Sequence, residues 1–159
     1  MWRKVKLRGI SPYLMDSLHG ATQRSSYGDT PYHRAVRRMY DKPVPRSVVE
    51  RCIEALHPPL GAMVVNGLDD NPILAFTPSC PFAIDIRPIN FRGPDGSVQI
   101  FRPRFDEWTI TFILGINLHV ISGFRAREIL DQAGKEVGIG ELSPAQGGIF
   151  GRFVVDLWE

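Results

Sequence analysis

The segment "DEWTITFIL" constrains the fold of this chain more than any other. Trp108, Ile110, Phe112 and Leu114 alternate with Thr109, Thr111 and Ile113. A period of two with apolar residues at every second position predicts a β-strand that buries one face. "WRKVKLRGI" at the start has the same period. It sets Trp2, Lys4, Lys6 and Arg8 on one side and Arg3, Val5, Leu7 and Gly9 on the other. Two such strands make one layer whose apolar face needs a second, and the helical patterns supply it.

The first helix is expected in "PRSVVERCIEAL", where Val48, Val49, Cys52, Ile53 and Leu56 make an apolar stripe. Ser47 and Glu50 have the spacing of a capping box. "HPPLG" ends it. The second is expected in "SGFRAREILDQAGKEVG". Ser122 is its N-cap, the stripe is Phe124, Ile129, Leu130, Ala133 and Val137, and Gly134 and Gly138 mark the fraying end. Between the helices, "NPILAFTP" and "FAIDIRPINF" read as strands, with Pro88 marking an edge or a bulge. "NFRGPDGSVQIF" reads as a hairpin with its turn at Gly93 to Gly96. "IFGRFVVDLW" is the last strand. Residues 21–46 read as a long polar loop, with a short helix around "YHRAVRRMY". The expected fold is α+β over a single domain, residues 1–159. Its order is ferredoxin-like βαββαβ, an antiparallel sheet with two helices on one face and an inserted β-hairpin.

Composition narrows the function. The 159 residues carry a net charge of +2, unevenly spread. Residues 1–52 hold eleven Lys/Arg against four Asp/Glu, and residues 53–159 hold eight against thirteen. A basic first third points to an anionic partner, nucleic acid above all, or to a solvated surface. No apolar run is long enough for a membrane span, and the start lacks the apolar core of a signal peptide. A cytoplasmic protein is expected. Cys52 and Cys80 have no metal-type spacing. His19, His33, His57 and His119 are scattered, and Asp69-Asp70 reads as a solvated turn. No metal or cofactor is expected. P-loop, nucleophile-elbow and zinc-protease motifs are absent, and "GIGELS" follows a helix where a dinucleotide loop follows a strand.

The binding candidates are arginines and glycines. Arg34, Arg37 and Arg38 share a helical face suited to phosphates. Arg102 and Arg104 alternate with Phe101 and Phe105 in "FRPRF". On an open sheet face that interleaving holds single-stranded nucleic acid; in a packed sheet the rings are core and the arginines face water. Gly138, Gly140, Gly147, Gly148 and Gly151 fall within the fifteen residues that end at Arg152. Such a loop can present N–H groups to a phosphate, or can serve a helix end and a tight turn. His33, among tyrosines and arginines, is the candidate acid or base for RNA cleavage, or a plain loop residue.

The strand order, with the glycine-rich loop and "GRF" (Gly151, Arg152, Phe153), resembles the RAMP superfamily of CRISPR-associated RNA-binding proteins. The segment from Arg102 to Val155 is also similar to a group of small uncharacterised phage and prophage proteins. The first resemblance implies RNA binding near the glycine-rich loop; the catalytic histidine of its RNA-cleaving members has no match here. The leading expectation is non-catalytic binding of single-stranded RNA or DNA, within a protein complex of the CRISPR or phage type. The alternatives are a metal-independent endoribonuclease using His33, and a phage-encoded protein-binding module or inhibitor of a host nucleic-acid enzyme.

Overall fold

The structure, a computed structural model, describes residues 1–15, 30–41, 44–78, 83–90 and 97–159. It is an α+β fold with two antiparallel sheets. The chain runs β1 (Trp2–Gly9), β2 (Tyr13–Leu14), α1 (Pro31–Asp41), α2 (Arg46–Glu54), β3 (Met63–Asn66), β4 (Ala75–Pro78), β5 (Ala83–Asn90), β6 (Ser97–Phe105), β7 (Trp108–Ile116), α3 (Gly123–Glu136) and β8 (Phe153–Trp158). The larger sheet has the order β3-β7-β1-β8, and β4 also pairs with β7. β3 meets the Ile113–Ile116 end of β7 and β4 the Trp108–Thr111 end. They therefore share one edge position, separated by a short 3₁₀ turn at Leu68–Asp70. The smaller sheet has the order β2-β6-β5.

The alternation of β1 and β7 appears as a two-faced sheet. Val5 pairs with Phe112 and Leu7 with Ile110, and all four are buried. Phe153 and Val155 continue that face on β8. Helix α2 covers it with Val48, Val49, Cys52 and Ile53, and α3 with Ala126, Ile129, Leu130 and Ala133. The two helices touch where the Cys52 Sγ–H reaches the Ala133 carbonyl at 3.5 Å. Burial pushes the Cys52 thiol up to about 12, against a smaller opposing hydrogen bond at Gly138.

Several local expectations change in three dimensions. Ser122 does cap α3, accepting from the Arg125 N–H at 3.1 Å. The Ser47–Glu50 capping box does not form. Helix α2 starts earlier, with Pro45 at its N-cap and no side-chain cap, because a bridge from Pro45 to Ile73 and the Arg46 N–H on the Pro72 carbonyl fix its entry. Ser47 lies inside the helix, and Glu50 pairs with Arg46 at 3.5 Å. Phe124 is exposed and Ala126 takes its place in the stripe of α3. Gly134 is buried within α3, where a β-carbon would stand 2.2 Å from the Phe153 carbonyl oxygen; it marks close helix–strand approach, not fraying.

"YHRAVRRMY" does lie in a helix, α1, within the stretch read mainly as loop. β3 is absent from the expected strands. The hairpin strands β5 and β6 pair in full register, and Pro88 lies on the edge strand as expected. The hairpin is not an appendage of the main sheet: with β2 it makes the second one. The turn at Gly93–Gly96 and Cys80 lie outside the described residues. No helix among the described residues is long and apolar enough to cross a membrane.

Candidate nucleic-acid interface

Among the described residues, the face of the larger sheet opposite α2 and α3 is exposed along β1. β1, flanked by β7 and β8, supplies Trp2, Lys4, Lys6 and Arg8 to it, since their neighbours Val5 and Leu7 point into the core. Trp2 is 63% exposed, Lys4 and Arg8 are exposed, and Lys6 is half-buried. Thr109 and Thr111 on β7 and Thr77 on β4 share this face by the same alternation. Among the described residues Lys4 and Lys6 have no ion-pair partner. Arg8 contacts Asp156 at 3.3 Å. Asp156 stands at a register shift between β1 and β8, where it is passed over by the pairing.

Trp2 owes its position to a glycine. It pairs with Gly115 of β7, and a β-carbon there would come within 2.7 Å of the indole. The bare backbone of Gly115 is the floor on which the ring lies. A glycine in mid-strand is the sequence signal for such an approach. The Trp2–Lys4–Lys6–Arg8 row is legible in the sequence as one solvated strand face. Its binding potential is not, because alternation alone does not tell an open sheet face from a covered one.

Arg152 joins this row. The Ile10 N–H donates to the Arg152 carbonyl at 2.8 Å, extending the β1–β8 pairing by one step past Gly9 and Phe153. Alternation then sets Arg152 on the same side as Val154 and Arg8.

The other predicted residues go elsewhere. Helix α1 packs against β6, with Tyr32 edge-on to Phe101 at 6.1 Å. Arg34 is half-buried there and Arg37 is exposed. The side chain of Arg38 lies outside the described residues. His33 closes the first turn of α1: its N–H donates to Thr30 Oγ1 at 3.2 Å, and its Nδ1 is 3.0 Å from the same oxygen. That is the work of a helix cap.

The "FRPRF" stretch does not make an open aromatic–arginine face. Phe105 is buried in a ring cluster with Tyr13 and Phe76. Arg102 is 5% exposed, with its guanidinium 3.9 Å from Glu141 and its Nε buried with no hydrogen-bond partner among the described residues. Arg104 is held by Asp106 at 2.8 Å. Both the open-face reading and the alternative with water-facing arginines fail for Arg102, because the glycine-rich loop folds over it.

Most N–H groups of that loop are bonded within the fold. The N–H groups of Val137 and Gly138 go to the Ala133 carbonyl, Ile139 to Gly151, and Glu141 to Leu14. Gly147 donates to Pro144, Gly148 to Ser143, Phe150 to Leu142 and Gly151 to Pro12. Leu142 donates to Gln146 Oε1 and Arg152 to Ser11 Oγ. Donors used inside the fold are not available as a phosphate nest. Gly138, Gly140, Gly147 and Gly151 have φ between 69° and 81°, the left-handed region. At Gly148 and Gly151 a β-carbon would collide with the carbonyl oxygens of Leu142 and Ile139 at 1.9 and 1.8 Å. These glycines serve turn geometry, and the loop fastens β2 and the smaller sheet to the C-terminal strand. Arg87 of β5 completes the junction, stacked over Phe150 at 5.1 Å and paired with Asp85 at 2.8 Å.

Among the described residues no three His, Cys, Asp or Glu side chains converge as a metal site would require. No protein-family model matches the chain, and no curated protein is significantly similar to it.

Proposed function

We propose that this protein binds single-stranded nucleic acid, RNA foremost, on the open face of its larger sheet, and that it does so without cleaving it. One observation carries the reading: a sheet face with no helix on it among the described residues, where Lys4, Lys6 and Arg8 stand in a row behind an exposed Trp2. A cationic row follows a phosphate backbone, and an indole at its end stacks on a base. The threonines beside it offer hydroxyls to sugar and phosphate oxygens. The glycine-rich loop enters this reading as a support that holds Arg152 at the edge of the face.

The same reading takes the larger sheet as ferredoxin-like, with β3 and β4 together as its second strand. The order β3-β7-β1-β8, with α2 and α3 on the buried face, supports this. Within it the resemblance to the RAMP superfamily rests on strand order, and the glycine-rich loop adds nothing to it.

Fluorescence anisotropy of labelled single-stranded RNA across a salt series tests the proposal. The expected result is binding that weakens as salt rises. The slope of log affinity against log salt should fall by about 1.4 in a Lys4→Ala/Lys6→Ala variant, about 0.7 for each single-strand phosphate that is no longer neutralised. Affinity indifferent to salt or to that double substitution overturns it.

A further inference from the structure

Beside β3 the larger sheet has an open edge with a groove along it, and the groove is built for a different kind of partner. It lies between the end of α2 and β3 and has a volume of about 320 Å³. Ile53 and Val65, both buried, form its floor with half-buried Met63. Glu50 and Glu54 line one wall and Pro58, Pro59 and Leu60 the other.

The backbone of β3 faces this groove with unused hydrogen-bonding groups. Met1 and Ile116 exchange N–H and C=O bonds on the β1 side of β7. Alternation then turns Gly115 and Ile113 toward β3, where they face Val64 and Asn66. The polar groups of Met63 and Val65 must point the other way, and no group among the described residues meets them. Elsewhere on the margin of the sheet some outward groups are bonded. Leu74, just before β4, donates to the Val44 carbonyl, and the Val155 N–H of β8 donates to Asp131.

We propose that this edge accepts an extended peptide segment of another protein, added as an outer strand beside β3, with apolar side chains at alternate positions and a Lys or Arg among them. Strand addition satisfies the Met63 and Val65 groups, and alternate side chains drop onto Ile53, Met63 and Val65. The basic residue is required by the charge of the wall. Glu54 has no ion-pair partner among the described residues, Glu50 shares an exposed one with Arg46, and no Lys or Arg lines the groove. The same carboxylates disfavour a second copy of this chain, because antiparallel pairing of two β3 strands would bring four of them to one seam.

The test uses the intact protein and an array of blocked peptides of about eight residues, enough to span a short strand. Each has Val or Ile at alternate positions and Lys, Arg, Thr or Glu at a central one. Backbone amide NMR follows the titration. The expected result is binding by the Lys or Arg members with shifts at the Met63 and Val65 amides. Replacing Lys by Glu, or N-methylating the peptide on its bonding edge, should weaken it about tenfold or more, the scale of one charge-assisted hydrogen bond. Glu54→Lys, on an exposed helix position, should reverse the charge preference while the melting temperature holds. The proposal is overturned if no member of the array binds, if the Glu and N-methyl peptides bind equally well, or if the shifts fall elsewhere. It is also overturned if sedimentation shows a dimer that Val64→Lys or Glu54→Lys dissolves, since the edge then belongs to a second copy.

Discussion

Trp2 lies on Gly115, with the indole filling the space where a β-carbon would stand. Two substitutions separate the ring's chemistry from its position. Trp2→Ala should weaken RNA binding by about 1–3 kcal/mol, the contribution of one stacked base. Gly115→Val should displace the ring and weaken binding in the same direction while Trp2 remains in the chain. Anisotropy for both, with a thermal melt as control, checks the pair. Full-strength binding by Trp2→Ala would remove the indole from the interface.

The glycine-rich loop should respond as scaffold. Gly151→Ala puts an alanine at the native left-handed φ of 69° and its β-carbon against the Ile139 carbonyl, and Gly148→Ala makes a clash with that of Leu142. The backbone conformation alone costs an alanine about 1–2 kcal/mol at Gly151. Denaturant melts should show both variants destabilised by at least that much. RNA affinity measured well below its midpoint should be retained by Gly148→Ala. Normal stability with weakened affinity would return the loop to the binding surface.

Buried Arg102 pairs with half-buried Glu141, and its Nε has no hydrogen-bond partner among the described residues. Removing a single partner leaves an uncompensated buried charge, so Glu141→Ala should cost about 3–5 kcal/mol. Replacing both, as Arg102→Met/Glu141→Leu, should cost less than the single change, because no charge is then left behind. A double-mutant cycle in denaturant measures the coupling. Additive effects would mean that the two side chains act independently.

Cys52 links stability to alkaline pH. Its thiol sits near 12 in the folded protein against 9.0 for a free one. Above pH 9 the unfolded chain loses this proton and the folded chain keeps it, so stability must fall as pH rises through this window. The contribution is whole below pH 9 and gone at about pH 12. Cys52→Ala should lower stability at neutral pH through the cavity it leaves, by about 1 kcal/mol, and flatten the decline above pH 9. Urea melts between pH 8 and 10.5 compare the two slopes. A slow reaction of native Cys52 with a thiol reagent, accelerated by denaturant, is the matching kinetic check.

Period and punctuation decided much of this protein by sequence alone. The two-residue alternation of β1 and β7 settles which side chains enter the core, because it follows from strand geometry without reference to any partner. Ser122 announces α3 for the same reason: its bond to the Arg125 N–H spans three residues. The mixed α+β class and the edge position of Pro88 belong here too. Events that depend on distant partners were closed to that reading. Ser47 and Glu50 have the capping-box spacing, but contacts to Pro72 and Ile73 start α2 earlier. Arg102 alternates like a surface residue and is buried because Glu141 comes down on it from the glycine-rich loop. The four-residue β3 is too short to show a period, and exists because β7 offers it Ile113–Ile116. The glycines of residues 138–151 were visible as a loop, but the N–H groups of Gly138, Gly147, Gly148 and Gly151 go to the carbonyls of Ala133, Pro144, Ser143 and Pro12. Only tertiary structure could decide that those donors are spent inside the fold, because their acceptors are set by how the loop packs.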